Sequence, residues 1–217
     1  MYRHMFSVQW KWARPTLAAF CVLAMMTPAL AMRVSFSAVV NETPRELTAF
    51  TAALGFGLAF LAVLTGIAVQ SASSFPDVQG KYVYALSLPI AWRRYLYYRT
   101  LIGITLLLIP AAAVWIGGTL AVMTVPLPDT LHTYAGGVAF RFLLASLLSF
   151  ALWTALVQLS GRRATLVALL LVLALLAIPL TIAAFGFDLG TPWFWQTLFN
   201  PPSPISVFFS RWALIDV

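Results

Sequence analysis

Charge is what this chain has least of. Of its 217 residues 9% are charged, against roughly 25% in soluble domains. That shortage excludes a water-facing globular surface. The 62% hydrophobic content excludes intrinsic disorder, which needs low hydrophobicity and high charge density. Acids are scarcer still: six Asp and Glu together, none deep in an apolar run. Proton- and sodium-coupled carriers place Asp, Glu or His in mid-membrane, so the chain reads as lacking an energy source of its own. A single cysteine, Cys21, excludes an intrachain disulfide and a thiolate metal cluster. The two histidines, His4 and His132, lie far apart, and no His/Asp/Glu grouping has ligand spacing, so no metal site is expected. The nucleophile-elbow, zincin and C-x-x-C patterns are absent, so no catalytic residues are assigned. No G-x-x-x-x-G-K-[ST] phosphate loop occurs either, and the chain has no ATP site of that kind.

What is present is long apolar runs. Five are each long enough to cross ~30 Å of hydrocarbon as a helix. They place spans at about 15–36, 48–70, 99–123, 139–160 and 164–186. Polar–apolar alternation is missing, which disfavours an outer-membrane barrel. The expected fold is therefore all-α, a polytopic membrane helix bundle forming one domain over residues 1–217. A last uncharged stretch differs. Pro192, Pro201, Pro202 and Pro204 interrupt it, and Trp193, Phe194, Trp195 and Phe199 suit a membrane–water interface. Residues 188–217 are accordingly read as an extracytoplasmic segment rich in proline and aromatics, with a re-entrant or surface helix.

The charges fall between the runs, so the net +7 is a topology signal and not a nucleic-acid footprint. One set of loops carries Arg3, Lys11, Arg14, Lys81, Arg93, Arg94, Arg99, Arg162 and Arg163. The other carries Arg33, Arg45, Arg141 and Arg211 with most of the acids. The positive-inside bias puts the N-terminus and the 71–98 loop in the cytoplasm. Residues 1–14, with Trp10, Lys11, Trp12 and Arg14, read as an interfacial helix feeding a retained first span. A competing pattern is a cleaved signal peptide ending near Ala29-Leu30-Ala31. Small residues four apart, Gly55 with Ala59, Gly117 with Ala121 and Ala145 with Ser149, suit close helix packing, within the chain more than between chains.

The connection at 71–98 is the informative one. Three serines, Pro76, Asp77 and Gly80 are expected to break the second span. Pro89 and a basic-aromatic run then lead into the third. Asp77 and Gly80, then Leu86-Ser87-Leu88-Pro89-Ile90, then Arg93-Arg94-Tyr95, resemble the loop between spans two and three of ABC-2 type transporter permeases. The N-terminal segment and the late stretch at 200–212 are similar to other parts of that family. The resemblance implies that Asp77, Gly80, Leu86, Ser87, Leu88, Pro89, Ile90, Arg93, Arg94 and Tyr95 form a coupling region that docks on a soluble ATPase. It implies a membrane-spanning permease subunit, without enzymatic activity of its own, that exports a substrate. ATP and Mg would be bound by the partner ATPase, and the permease would pair with a second permease chain within the lipid. Two features depart from the family: it commonly has six spans, and its loop acid is usually Glu. A different class, a non-transporting anchor or assembly subunit of another complex, is the alternative reading.

Overall fold

The computed structural model describes residues 2–39, 44–79, 91–124, 132–160, 163, 166–168, 170, 206–209, 212 and 214–216. Four long helices dominate: α1 (Tyr2–Val39), α2 (Pro44–Gln79), α3 (Trp92–Met123) and α4 (Ala135–Ser160). A four-residue helix α5 (Ser206–Phe209) and a two-residue antiparallel ladder, β1 (His132–Thr133) with β2 (Ile215–Asp216), complete the described elements. Each of the four long helices contains a stretch long and apolar enough to cross a membrane: Met5–Leu30, Gly57–Ser74, Trp92–Met123 and Ala135–Leu159. The fifth expected span, 164–186, lies outside the described residues but for a few helical positions near its start. The aromatic-rich stretch 188–205 lies outside them altogether.

The chain divides into two compact units, Met1–Phe150 with Arg211–Val217, and Ala151–Ser210. The second contains the last turns of α4 and the short α5. The first contains the bundle.

Within the bundle, α1 turns one stripe inward: Met5, Gln9, Ala13, Leu17, Ala24 and Pro28. Steps of four and seven residues keep those positions on one helical face. They meet α3, whose own stripe runs Tyr95, Arg99, Ile102, Leu106, Pro110, Val114, Gly117 and Ala121. α1 and α3 run in the same sense, with Tyr2 near Thr105 at one end and Met25 against Gly117 further along. From Tyr2 to Met25 α1 rises about 35 Å, whereas Thr105 to Gly117 covers about 18 Å of α3. α4 runs against α3, pairing Phe150 with Gly103 and Ala135 with Gly118.

The interior is rich in small residues, among them Ala13, Ala24, Ala59, Ala62, Ala111, Ala121 and Ala145. Large apolar side chains such as Val22, Leu23, Phe60, Leu108, Trp115, Phe140 and Leu152 face outward. Water would penalise that surface by ~25 cal/mol per Å², and lipid does not. Association within lipid comes from close backbone approach at small residues instead. The three small-residue pairs are used within the chain. Gly55 faces Trp212, Gly117 faces the Met25 backbone, and Ser149 faces Gly66.

Residues 1–14 are helical and continuous with the first span: α1 runs from Tyr2 to Val39 and contains both Pro15 and Pro28. A proline deletes one intrahelical bond, yet packing against neighbouring helices tolerates this in membrane bundles. One boundary differs from expectation: the serines after residue 70 do not end the second helix, which continues to Gln79. Ser73 donates to the Gln70 carbonyl at 2.9 Å and Ser74 at 2.8 Å. Their hydroxyls are satisfied along the helix instead of diverting the backbone into a turn.

A candidate functional site at the basic end of the bundle

α3 begins abruptly. Ala91 has φ −59° and ψ 134° and supplies no side-chain cap. Its carbonyl accepts the amides of Arg94 (2.9 Å) and Tyr95 (3.2 Å). Arg93 and Arg94 therefore stand in the first turn, exposed, and that turn holds no acidic residue. α1 likewise starts with exposed Arg3 and no acid in its first turn. A helix N-terminus carries about half a positive charge. Cations there are repelled by ~0.3–1 kcal/mol each when unscreened. The two helix starts thus add side-chain charge to dipole charge, and the rim they form attracts anions.

Aromatic rings join the two starts. Trp10 stacks on Phe6 (6.3 Å, 7°), and Phe6 on Tyr2 (6.3 Å, 27°). Tyr2 meets Tyr98 edge-on at 6.5 Å, and Tyr98 contacts Tyr97 at 6.0 Å. The Tyr2 hydroxyl lies 3.3 Å from Thr105 Oγ1. Thr105 donates its own proton to the Leu101 carbonyl (2.9 Å), so Tyr2 is the donor. Offset and edge-to-face rings add ~0.5–1.5 kcal/mol per pair beyond the area they bury. This ladder fixes α1 on α3 and leaves Lys11, Trp12 and Arg14 exposed beside it.

Behind the rim is a polar interior. Gln9 of α1, Gln70, Ser73 and Ser74 of α2, and Arg99 of α3 are all buried. They stand beside Met5, Ala13, Val69, Tyr95 and Ile102, members of one apolar cluster. Ser73 Oγ also lies 3.2 Å from Gln70 Oε1. Gln9 Oε1 is buried without a hydrogen-bond partner. Arg99 is 6% exposed within a helix that can span a membrane. A cation so placed is expensive and marks a constrained position.

The expected coupling residues divide into four groups. Arg93 and Arg94 stand exposed in the first turn of α3. Tyr95 is 4% exposed, stacked on Trp92 at 5.7 Å, and belongs to the core. Asp77 lies in the last turn of α2. Gly80, Leu86, Ser87, Leu88, Pro89 and Ile90 lie outside the described residues. Sequence reading counted Arg99 only as a loop charge. Its signal was there, since Tyr95, Arg99, Ile102 and Leu106 repeat at three- and four-residue steps on one face.

The fold and the exposed apolar belt define a class, an all-helical membrane protein with four helices able to cross a bilayer. No family model, curated protein or solved structure matches the chain.

Proposed function

We propose that the chain is the membrane-spanning permease subunit of an ABC-2-like transporter. It resides in a bacterial inner membrane with its N-terminus in the cytoplasm. There it exports a substrate with ATP hydrolysed by a separate soluble chain, beside a second permease chain. The observation that carries this reading is the pair of exposed arginines in the first turn of α3, a turn that holds no acid. Arg93 and Arg94 are held exposed against the helix dipole, directly after the segment that resembles the family's coupling loop. A partner with acidic residues relieves that repulsion and gains charge-assisted hydrogen bonds. The missing phosphate loop and the lack of acids deep in the apolar runs agree with a borrowed driving force.

The test is affinity purification of the full chain from its native membrane, with identification of soluble companions. An ATPase bearing a phosphate loop is the expected result. Leu86→Glu and Pro89→Glu should then abolish transport-linked ATP hydrolysis while the permease still inserts. Recovery of a membrane complex without any nucleotide-hydrolysing chain would favour the anchor reading instead.

A further inference from the structure

The opposite end of the bundle is closed by a piece of chain that is not a helix. Trp212 and Leu214 are 4% and 2% exposed. Each is seated against a glycine. A Cβ on Gly55 of α2 would lie 2.6 Å from Trp212 Cβ. On Gly118 of α3 a Cβ would lie 3.4 Å from Leu214 Cδ1 and 3.2 Å from Ala135 Cβ at the start of α4. Three helices therefore contribute to one slot that these two side chains fill.

Tyr134 donates its amide to the Leu214 carbonyl at 2.9 Å, and β2 pairs with β1 through His132–Asp216 and Thr133–Ile215. The seated state also carries a penalty. Trp212 Nε1 is buried with no acceptor, so its N–H forfeits the hydrogen bond it makes with water. Released, an indole settles at the membrane interface with its ring in the apolar layer and its N–H wet. Apolar burial thus favours the seated state, and the indole dipole favours the released one.

We infer that Trp212 and Leu214–Asp216 form a releasable strap that holds this end of α2, α3 and α4 together and covers Ala135 and Gly118. Under the permease reading this is the extracytoplasmic mouth, and the strap is its gate. That role rests on the proposed function, whereas the opening itself does not.

The full chain in vesicles tests it without nucleotide or partner. In a Cys21→Ser background, a cysteine placed by Ala135→Cys reports the slot through its rate of labelling by a membrane-impermeant maleimide. Labelling should be slow with the strap seated. It should rise about tenfold or more with Gly55→Leu, which occupies the space of Trp212, and with Trp212→Ala, because the rate follows the open population. In the same background, Gly118→Cys with Leu214→Cys should form a disulfide under mild oxidation, and adding Gly55→Leu should prevent it. Equal labelling rates in all three proteins, or no disulfide in the pair, would overturn the strap. Helical content by circular dichroism shows whether Gly55→Leu is folded; if it is not, Trp212→Ala decides. Because neither readout involves ATP, a failed ATPase co-purification would remove the permease reading and leave the strap standing.

Discussion

Glycines separate the contacts that cannot yield from those that can. A Cβ on Gly117 would sit 2.8 Å from Met25 Cα and closer still to its carbonyl oxygen. On Gly66 it would meet the Ser146 carbonyl and lie 2.9 Å from the Phe150 amide nitrogen. Backbone atoms of a packed helix have nowhere to go, so Gly117→Val and Gly66→Val are expected to cost ~3 kcal/mol or more. Gly57 has nothing within 4 Å. There Gly57→Ala should gain ~0.5–1 kcal/mol from helix propensity alone. Thermal unfolding in detergent checks all three. Unchanged stability of Gly117→Val would mean that α1 and α3 do not touch there. Arg99 belongs to the same scale. Arg99→Ala removes a buried side chain that packs beside Tyr95 and Ile102 and engages other groups of the bundle. A loss of ~2–4 kcal/mol is expected, with Arg99→Lys recovering only part because it lacks the guanidinium fork.

At the scale of elements, α3 offers a way to separate stability from docking. Replacing Arg93 and Arg94 with Glu puts acids in a first turn that has none. The helix dipole then favours the variant by a few tenths to ~1 kcal/mol per residue. Thermal stability of Arg93→Glu/Arg94→Glu should hold or rise, while retention of a soluble partner on affinity resin should fall roughly tenfold or more. A parallel fall in both would make the arginines structural and withdraw them from the interface. The same element shows what the sequence made legible. The uncharged runs located α1 to α4, because residues 15–36, 48–70, 99–123 and 139–160 contain too little charge to end a span. Helix ends were legible only where lipid ends too. Ser73 and Ser74 looked like punctuation because turn statistics come from water, where a freed backbone group finds solvent. Inside a bundle the serines bond their own helix, so α2 outlasts its signal. Tyr95 and Arg93 read alike in sequence as a basic-aromatic cluster. Only the turn of α3 decides that one points into the core and the other out.

The whole molecule makes a topological commitment that needs neither substrate nor partner. α1, α2, α3 and α4 alternate in direction. Tyr2, Tyr98 and Phe150 therefore gather at one end, and Gly55, Gly118 and Ala135 at the other. α1 spans about 57 Å by helical rise, far more than the ~30 Å of hydrocarbon. One end of it must leave the membrane or tilt, and the exposed Lys11 and Arg14 fix which end reaches the headgroups. With Cys21→Ser as background, Tyr97→Cys and Tyr134→Cys place single thiols at exposed positions on opposite ends of the bundle. In sealed vesicles an impermeant maleimide should label one and spare the other, and inverting the vesicles should exchange them. Labelling of both from the same side would break the alternation of the four helices. The rim of arginines and the Trp212 seat could then no longer belong to opposite faces of the membrane.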